Sequence, residues 1–203
     1  MNTQLTQSTA FLPADYVVPS TADKYYKFEQ GDNRFRILSS PILGYEWWVD
    51  EADGSRKPHR VPMNQGIPTN EVSDPSEIRH FWFMVVWSYR ANRIQILEIT
   101  QKNIQKTLRE LARDEDWGSP VNSYDISIIR TGTTKEDTKY EVLPKPKKPT
   151  EQHILDMLID TPVRLEALYT GGDPFMQEVE IVDSTQLAED VSTGLTKKGG
   201  KKV

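Results

Sequence analysis

The strongest constraint on this chain lies between Asn33 and Leu143, where the apolar period changes in a fixed order. Asn33 to Val49 alternates Arg34, Arg36 and Leu38 against Phe35 and Ile37, then runs through Ile42, Tyr45, Trp47, Trp48 and Val49. This predicts one long strand, bent near Pro41 and Gly44. Asp50 to Arg79 contains Gly54, Pro58, Pro62, Gly66, Pro68 and Pro75. Too many backbone donors are missing there for a buried sheet, so a long functional insert is expected. His80–Tyr89 and Arg93–Ile99 read as two strands joined by Arg90, Ala91 and Asn92, a connection short enough for an antiparallel hairpin. Thr100 is the expected cap of a helix carrying Ile104, Leu108, Leu111 and Ala112, with Lys102, Lys106 and Arg109 on its other face. Gly118 and Pro120 end it, and Tyr124–Thr131 and Thr138–Leu143 are two more strands.

Five strands with one helix between the third and fourth is the order of a mainly β, five-stranded OB-fold barrel. That fold binds oligonucleotides on the face of strands 2 and 3 and on loops 1-2 and 4-5. Here loop 1-2 is the insert carrying Arg56, Lys57, His59 and Arg60, and loop 4-5 carries Lys135 with Lys139 beside it. The expected division is an arm over residues 1–23, an OB domain over 24–149 with its insert at 50–79, short helices over 150–171 and a flexible tail over 172–203. Pro144, Pro146 and Pro149 alternate with Lys145, Lys147 and Lys148 as a stiff basic linker. Thr150 then caps one short helix, and Thr161 with Pro162 begins another through Leu168. From Glu166 to Asp190 seven acids occur without a Lys or Arg, before the basic end at Lys197, Lys198, Lys201 and Lys202.

The chain has no Cys, which excludes disulfides, thiol nucleophiles and cysteine-ligated metals and fits a reducing compartment. No apolar run is long enough for a spanning helix, and the polar start lacks the pattern of a signal peptide, so a cytoplasmic protein without membrane contact is expected. A net charge of -5 weakens a nucleic-acid reading only if charge is evenly spread, because a ligand meets local charge. No Walker A loop, GxGxxG turn or His-Glu-x-x-His pair is present. His59, His80 and His153 are scattered, and Asp114, Glu115 and Asp116 read as solvated loop charge, so neither a metal nor another cofactor is expected.

Single-stranded nucleic acid requires flat side chains for stacking and cations along its phosphates. Tyr45, Trp47 and Trp48 end the first strand; Phe81 and Trp82 stand in the second; Tyr140 lies in the fifth. Alternation places Trp82, Met84 and Val86 on one face and Phe81, Phe83, Val85 and Trp87 on the other, leaving open which is inside. Trp82 is expected in the groove. Arg34 and Arg36 should look outward together if Phe35 and Ile37 are core, joined by Arg93 and Arg130 and by Lys135, Lys139 and Lys145.

The runs Phe35-Arg36-Ile37-Leu38, His80 through Val86, Tyr124 through Ile128 and Lys139-Tyr140 resemble, in that order, phage single-stranded DNA-binding proteins of the T4 helix-destabilising type. The resemblance covers roughly Lys24 to Pro149, and its weight rests on order. It implies sequence-tolerant coating of transient single-stranded DNA in phage replication, recombination and repair, without catalysis. Carried over by position, Phe81 and Trp82 match the aromatic pair of the DNA cleft, Arg36 the strand-1 arginine, and Lys139 with Tyr140 the basic and aromatic pair at strand 5. The family's zinc is excluded, since Asp50–Arg79 has no Cys, and its basic arm is missing before Lys24. The resemblance also implies contact with phage replication proteins through the acidic C-terminal segment. Other readings stay open: an RNA or general oligonucleotide module, and an adaptor whose aromatics are core.

Overall fold

The computed structural model describes residues 24–175 apart from 68, 70, 71 and 73. The expected arm and the chain beyond Phe175, with most of the acidic segment and the basic end, lie outside the described residues.

The described residues are mainly β, with eight strands in one mixed sheet and few helices. The strands are β1 (Tyr25–Tyr26), β2 (Gly31–Ile37), β3 (Ile42–Asp50), β4 (Arg56–Pro62), β5 (Arg79–Ser88), β6 (Arg93–Ile99), β7 (Asp125–Thr131) and β8 (Lys139–Pro144). Helix α1 (Lys102–Arg113) separates β6 from β7, and α2 (Gln152–Asp160) with a 3-10 turn (Leu165–Thr170) follows β8. The main path is β1-β6-β5-β2-β7-β8, with β3 paired to β5 and β4 paired to β3. Among the described residues no ladder joins β6 to β8, so the expected five-stranded closed barrel is instead an open sheet of eight strands.

The predicted hairpin forms with Trp82 opposite Ile99 and Ser88 opposite Arg93. The predicted first strand divides in two. β2 pairs with the end of β5, through Ile37 opposite Val86, while β3 pairs with its beginning, through Ile42 opposite Phe83. Between them the Ser39 hydroxyl accepts from the Val85 amide at 3.0 Å, replacing a ladder bond just before Pro41 turns the chain. Gly44 is required on β3: a Cβ there would lie 2.2 Å from the Val61 carbonyl oxygen and 2.6 Å from the Phe81 ring. The insert is only partly a loop, because Arg56–Pro62 pairs with β3. Among the described residues β4 pairs with β3 alone, and such an edge position tolerates Pro58 and Pro62. The very short β1, parallel to β6, carries no alternation that could announce it.

Two apolar layers enclose the sheet. Ile104 and Leu108 of α1 insert among Phe35, Ile37, Met84, Val86, Leu97, Ile99, Tyr124, Ile126 and Ile128. On the other face Ile154, Leu165 and Leu168 cover Phe81, Phe83, Val85, Trp87, Ile94 and Ile96. Both faces of β5 are therefore buried, which explains why its sequence is nearly all apolar rather than alternating. α1 begins after Gln101 rather than Thr100 and stops at Arg113, ahead of Asp114, Glu115 and Asp116 as expected. α2 begins after Glu151, because the Thr150 hydroxyl is engaged with Arg36 and the Asn122 carbonyl. The helix expected from Pro162 is only the 3-10 turn, closed by Gly171 in the left-handed region at φ 73°.

Candidate nucleic-acid interface

The expected site residues separate into a buried set and a rim. Arg36 belongs to the first and does not look outward beside Arg34, since it is fully buried. Its Nε donates to Asp125 Oδ1 at 2.5 Å, and its Nη1 donates to the Lys148 carbonyl at 2.9 Å and to Thr150 Oγ1 at 3.1 Å. Asp125 also accepts from Arg34 Nη2 at 2.5 Å and from the Tyr89 hydroxyl at 3.0 Å. Burial raises the Asp125 pKa, but hydrogen bonds from Arg34 and Arg36 and the Arg36 charge outweigh it and hold the carboxyl below its ordinary value. Arg34 keeps an exposed side and stacks over Tyr89, 4.6 Å from the ring centre. Lys145 lies at the same end, its amide donating to the Asp125 carbonyl at 2.9 Å.

The aromatic pair expected in a cleft is split. Phe81 is fully buried, 4.9 Å from Phe83 and 6.1 Å from Tyr169 between ring centres, beneath the C-terminal turn. Trp82, on the opposite face, is half-buried beside α1. Trp47 is buried against His59, while its neighbour Trp48 is exposed. Tyr45 is half-buried beside His80, 5.5 Å away. Arg60 is held by Glu46 at 3.2 Å and lies 5.1 Å over the Phe83 ring, and Lys57 lines a separate cleft of about 330 Å³ against the C-terminal turn. Arg93 stands at the far end of the β5–β6 hairpin, its Nε reaching the Ala91 carbonyl at 3.4 Å.

The rim forms where the β3–β4 hairpin, the start of β5 and the β7–β8 loop converge. Trp48, Arg56, Ser76, Glu77 and Arg79 line one cleft of about 550 Å³. Arg79, Arg130, Lys135 and Tyr140, with threonines of the β7–β8 loop, line a second of about 570 Å³. Arg79 is common to both, so the clefts meet there. Each contributor is positioned locally. The hairpin turn is closed by the Glu51 amide donating to the Ser55 carbonyl at 2.8 Å, and the Asp53 carboxylate accepts from the Ser55 amide. The β7–β8 loop is fastened by Asp137, which accepts from the Thr134 amide at 2.7 Å and from its hydroxyl at 2.9 Å. These bonds, the amide's foremost, lower the Asp137 pKa and leave Lys135 exposed at the loop. Arg130 Nη1 donates to the Phe28 carbonyl at 2.9 Å, and Tyr140 packs 5.6 Å from the Phe28 ring. Lys139 is exposed at the start of β8, opposite Thr131.

Below the rim, Glu98 is pushed up to about 7, first by burial and then by the charge and hydrogen bond of Glu46. Arg60 and Arg79 act in the opposite direction. Sequence reasoning missed Arg79, whose only signal is its place at the first residue of β5. It assigned no role to Lys102, Lys106 and Arg109, although with Arg113 they recur at helical spacing beside a cleft.

Among the described residues no group of His, Asp or Glu is arranged to hold a metal, and no helix is long and apolar enough to cross a membrane. No family model, no curated protein and no solved structure matches the chain.

Proposed function

We propose that this chain is a non-enzymatic, sequence-tolerant single-stranded DNA-binding protein whose sheet is an open variant of the OB barrel. With β2 and β3 taken as two halves of one bent strand, the path β6-β5-β2-β7-β8 is the OB order third, second, first, fourth, fifth. α1 falls between the third and fourth, where that fold carries its helix. The outer face of the second and third strands is filled by the C-terminal turn, so the strand is assigned to the loop rim instead.

The observation that carries the reading is the meeting of two clefts at Arg79, which joins exposed Trp48 and Arg56 to Arg130, Lys135 and Tyr140. Cations there follow phosphates, while Trp48 and Tyr140 offer faces for bases at roughly 1–3 kcal/mol per stacked base. Such contacts do not read base edges, hence the tolerance of sequence. A place in phage replication, recombination and repair, and contact with replication proteins through the acidic segment, rest on the family resemblance.

Anisotropy of labelled oligo-dT, oligo-U and a duplex of equal length tests the proposal. Oligo-dT should bind best and lose affinity in W48A/R79Q. Stronger binding of oligo-U makes the module an RNA binder, and absence of binding to every strand at low salt leaves the adaptor reading.

A further inference from the structure

A further cleft lies between α1 and the β3–β5 face. Leu43, Met63, His80 and Trp82 form one wall of this space of about 600 Å³, and α1 forms the other. Lys102, Lys106, Arg109 and Arg113 line the helical wall. Their spacing of four, three and four residues keeps all of them on one face over about 16 Å of helix. Lys106 reaches Glu110 at 4.0 Å; Lys102, Arg109 and Arg113 have no ion pair among the described residues.

A second cavity of about 280 Å³ continues the cleft, sharing Leu43, Trp82 and Arg109 with it. Ile37, Pro41, Met84, Leu108, Ala112 and Val121 give it an almost wholly apolar wall. The polar groups of the floor are engaged with one another. Trp82 Nε1 donates to His80 Nε2 at 3.1 Å, while His80 Nδ1 meets the Gly44 carbonyl at 2.9 Å. Gln105 Nε2 donates to the Ile99 carbonyl at 2.9 Å and the His80 carbonyl at 3.2 Å. The indole therefore offers the cleft its ring rather than its N–H, and Met63, exposed at the edge, extends the apolar surface.

We propose that this groove docks an acidic peptide of a partner protein, with one bulky apolar side chain seated in the inner cavity and carboxylates along α1. Charge complementarity selects an acidic ligand. The inner cavity then distinguishes a peptide from a nucleic-acid strand: a base placed there leaves its polar edge without partners, whereas a Leu or Phe side chain is at home. The rim clefts differ, because hydroxyls and cations line them. An extended peptide advancing about 3.3 Å per residue spans the basic stripe with five or six residues.

The test uses the full chain and two fluorescein-labelled nonapeptides of glutamate and serine, one with a central phenylalanine and one with serine in its place. The phenylalanine peptide should bind about tenfold tighter or better, as expected for burying one aromatic side chain. R109E/R113E should abolish that binding. A112W, which fills the inner cavity from an exposed position, should erase the preference for phenylalanine while leaving oligo-dT affinity unchanged. R79Q/K135Q should leave peptide binding intact, so the result is independent of whether the rim binds DNA. Equal binding of the two peptides overturns the proposal. So does displacement of the peptide by oligo-dT with loss of oligo-dT affinity in R109E/R113E, which makes the groove part of a nucleic-acid track.

Discussion

The two ends of β7 hold cations in opposite circumstances. At its start, Arg34, Arg36 and Lys148 converge on one buried carboxylate, Asp125, and Arg36 also carries the backbone of the C-terminal linker. At its finish, Arg130 joins Arg79 and Lys135 around an open cleft. The same residue type is closed into a buried ion pair at one end and lines an open cleft at the other. What decides is whether a carboxylate is buried with it, because an ion pair closed away from water has little left to offer a phosphate.

Breaking the closed end should have the largest effect. R36A leaves Asp125 buried with only its partly exposed partners, and it should cost about 3–5 kcal/mol in denaturant unfolding. Protein that remains folded should keep its oligo-dT affinity, since Arg36 does not reach the rim. R34Q, which removes the half-exposed partner, should cost only about 1 kcal/mol.

The next effect is a pH dependence of opposite sign at the two carboxyl sites. Asp125 has a folded pKa below its unfolded one, so its contribution is complete above about pH 4 and is lost as pH falls through the folded value. Glu98 is raised to about 7, so the folded state holds a proton that the unfolded state has released. Its stability contribution is full below about pH 4.5 and declines as pH rises towards 7, by about 2–3 kcal/mol in all. E98Q should flatten unfolding free energy between pH 5 and 7 and leave the acid limb unchanged.

Smaller changes are expected at the rim, and they should appear in binding rather than stability. W48A should weaken oligo-dT binding by about 1–3 kcal/mol, with an unfolding midpoint close to that of the unaltered chain. K135Q should weaken it less, through the loss of one phosphate contact.

These contrasts also show what the sequence could reveal. The β5–β6 hairpin, α1 and the β7–β8 pair follow from local alternation and helical spacing, and they form close to the predicted boundaries. Arg36 was misplaced because its fate depends on Asp125, a partner 89 residues away that no local pattern announces. Phe81 was misplaced for a similar reason, since Leu165, Leu168 and Tyr169 cover it from a segment expected to lie apart. Trp48, Arg56, Lys135 and Tyr140 are legible as candidates because aromatic residues at the ends of strands and cations beside turn-rich segments already mark a surface for stacking and phosphate contact. Their convergence on Arg79 was not, since it depends on how β5 begins between two loops. β4 was hidden by prolines that an edge strand accommodates.

On the proposed function, cations at the open end, and not those at the closed end, meet phosphates. The salt dependence of oligo-dT affinity measures this directly, since its slope counts phosphates neutralised at about 0.7 each on a single strand. R56Q/R79Q/K135Q should lower the slope by about 2 in magnitude, while R34Q leaves it unchanged. An unchanged slope in the triple variant, or an equal loss in R34Q, would contradict the account.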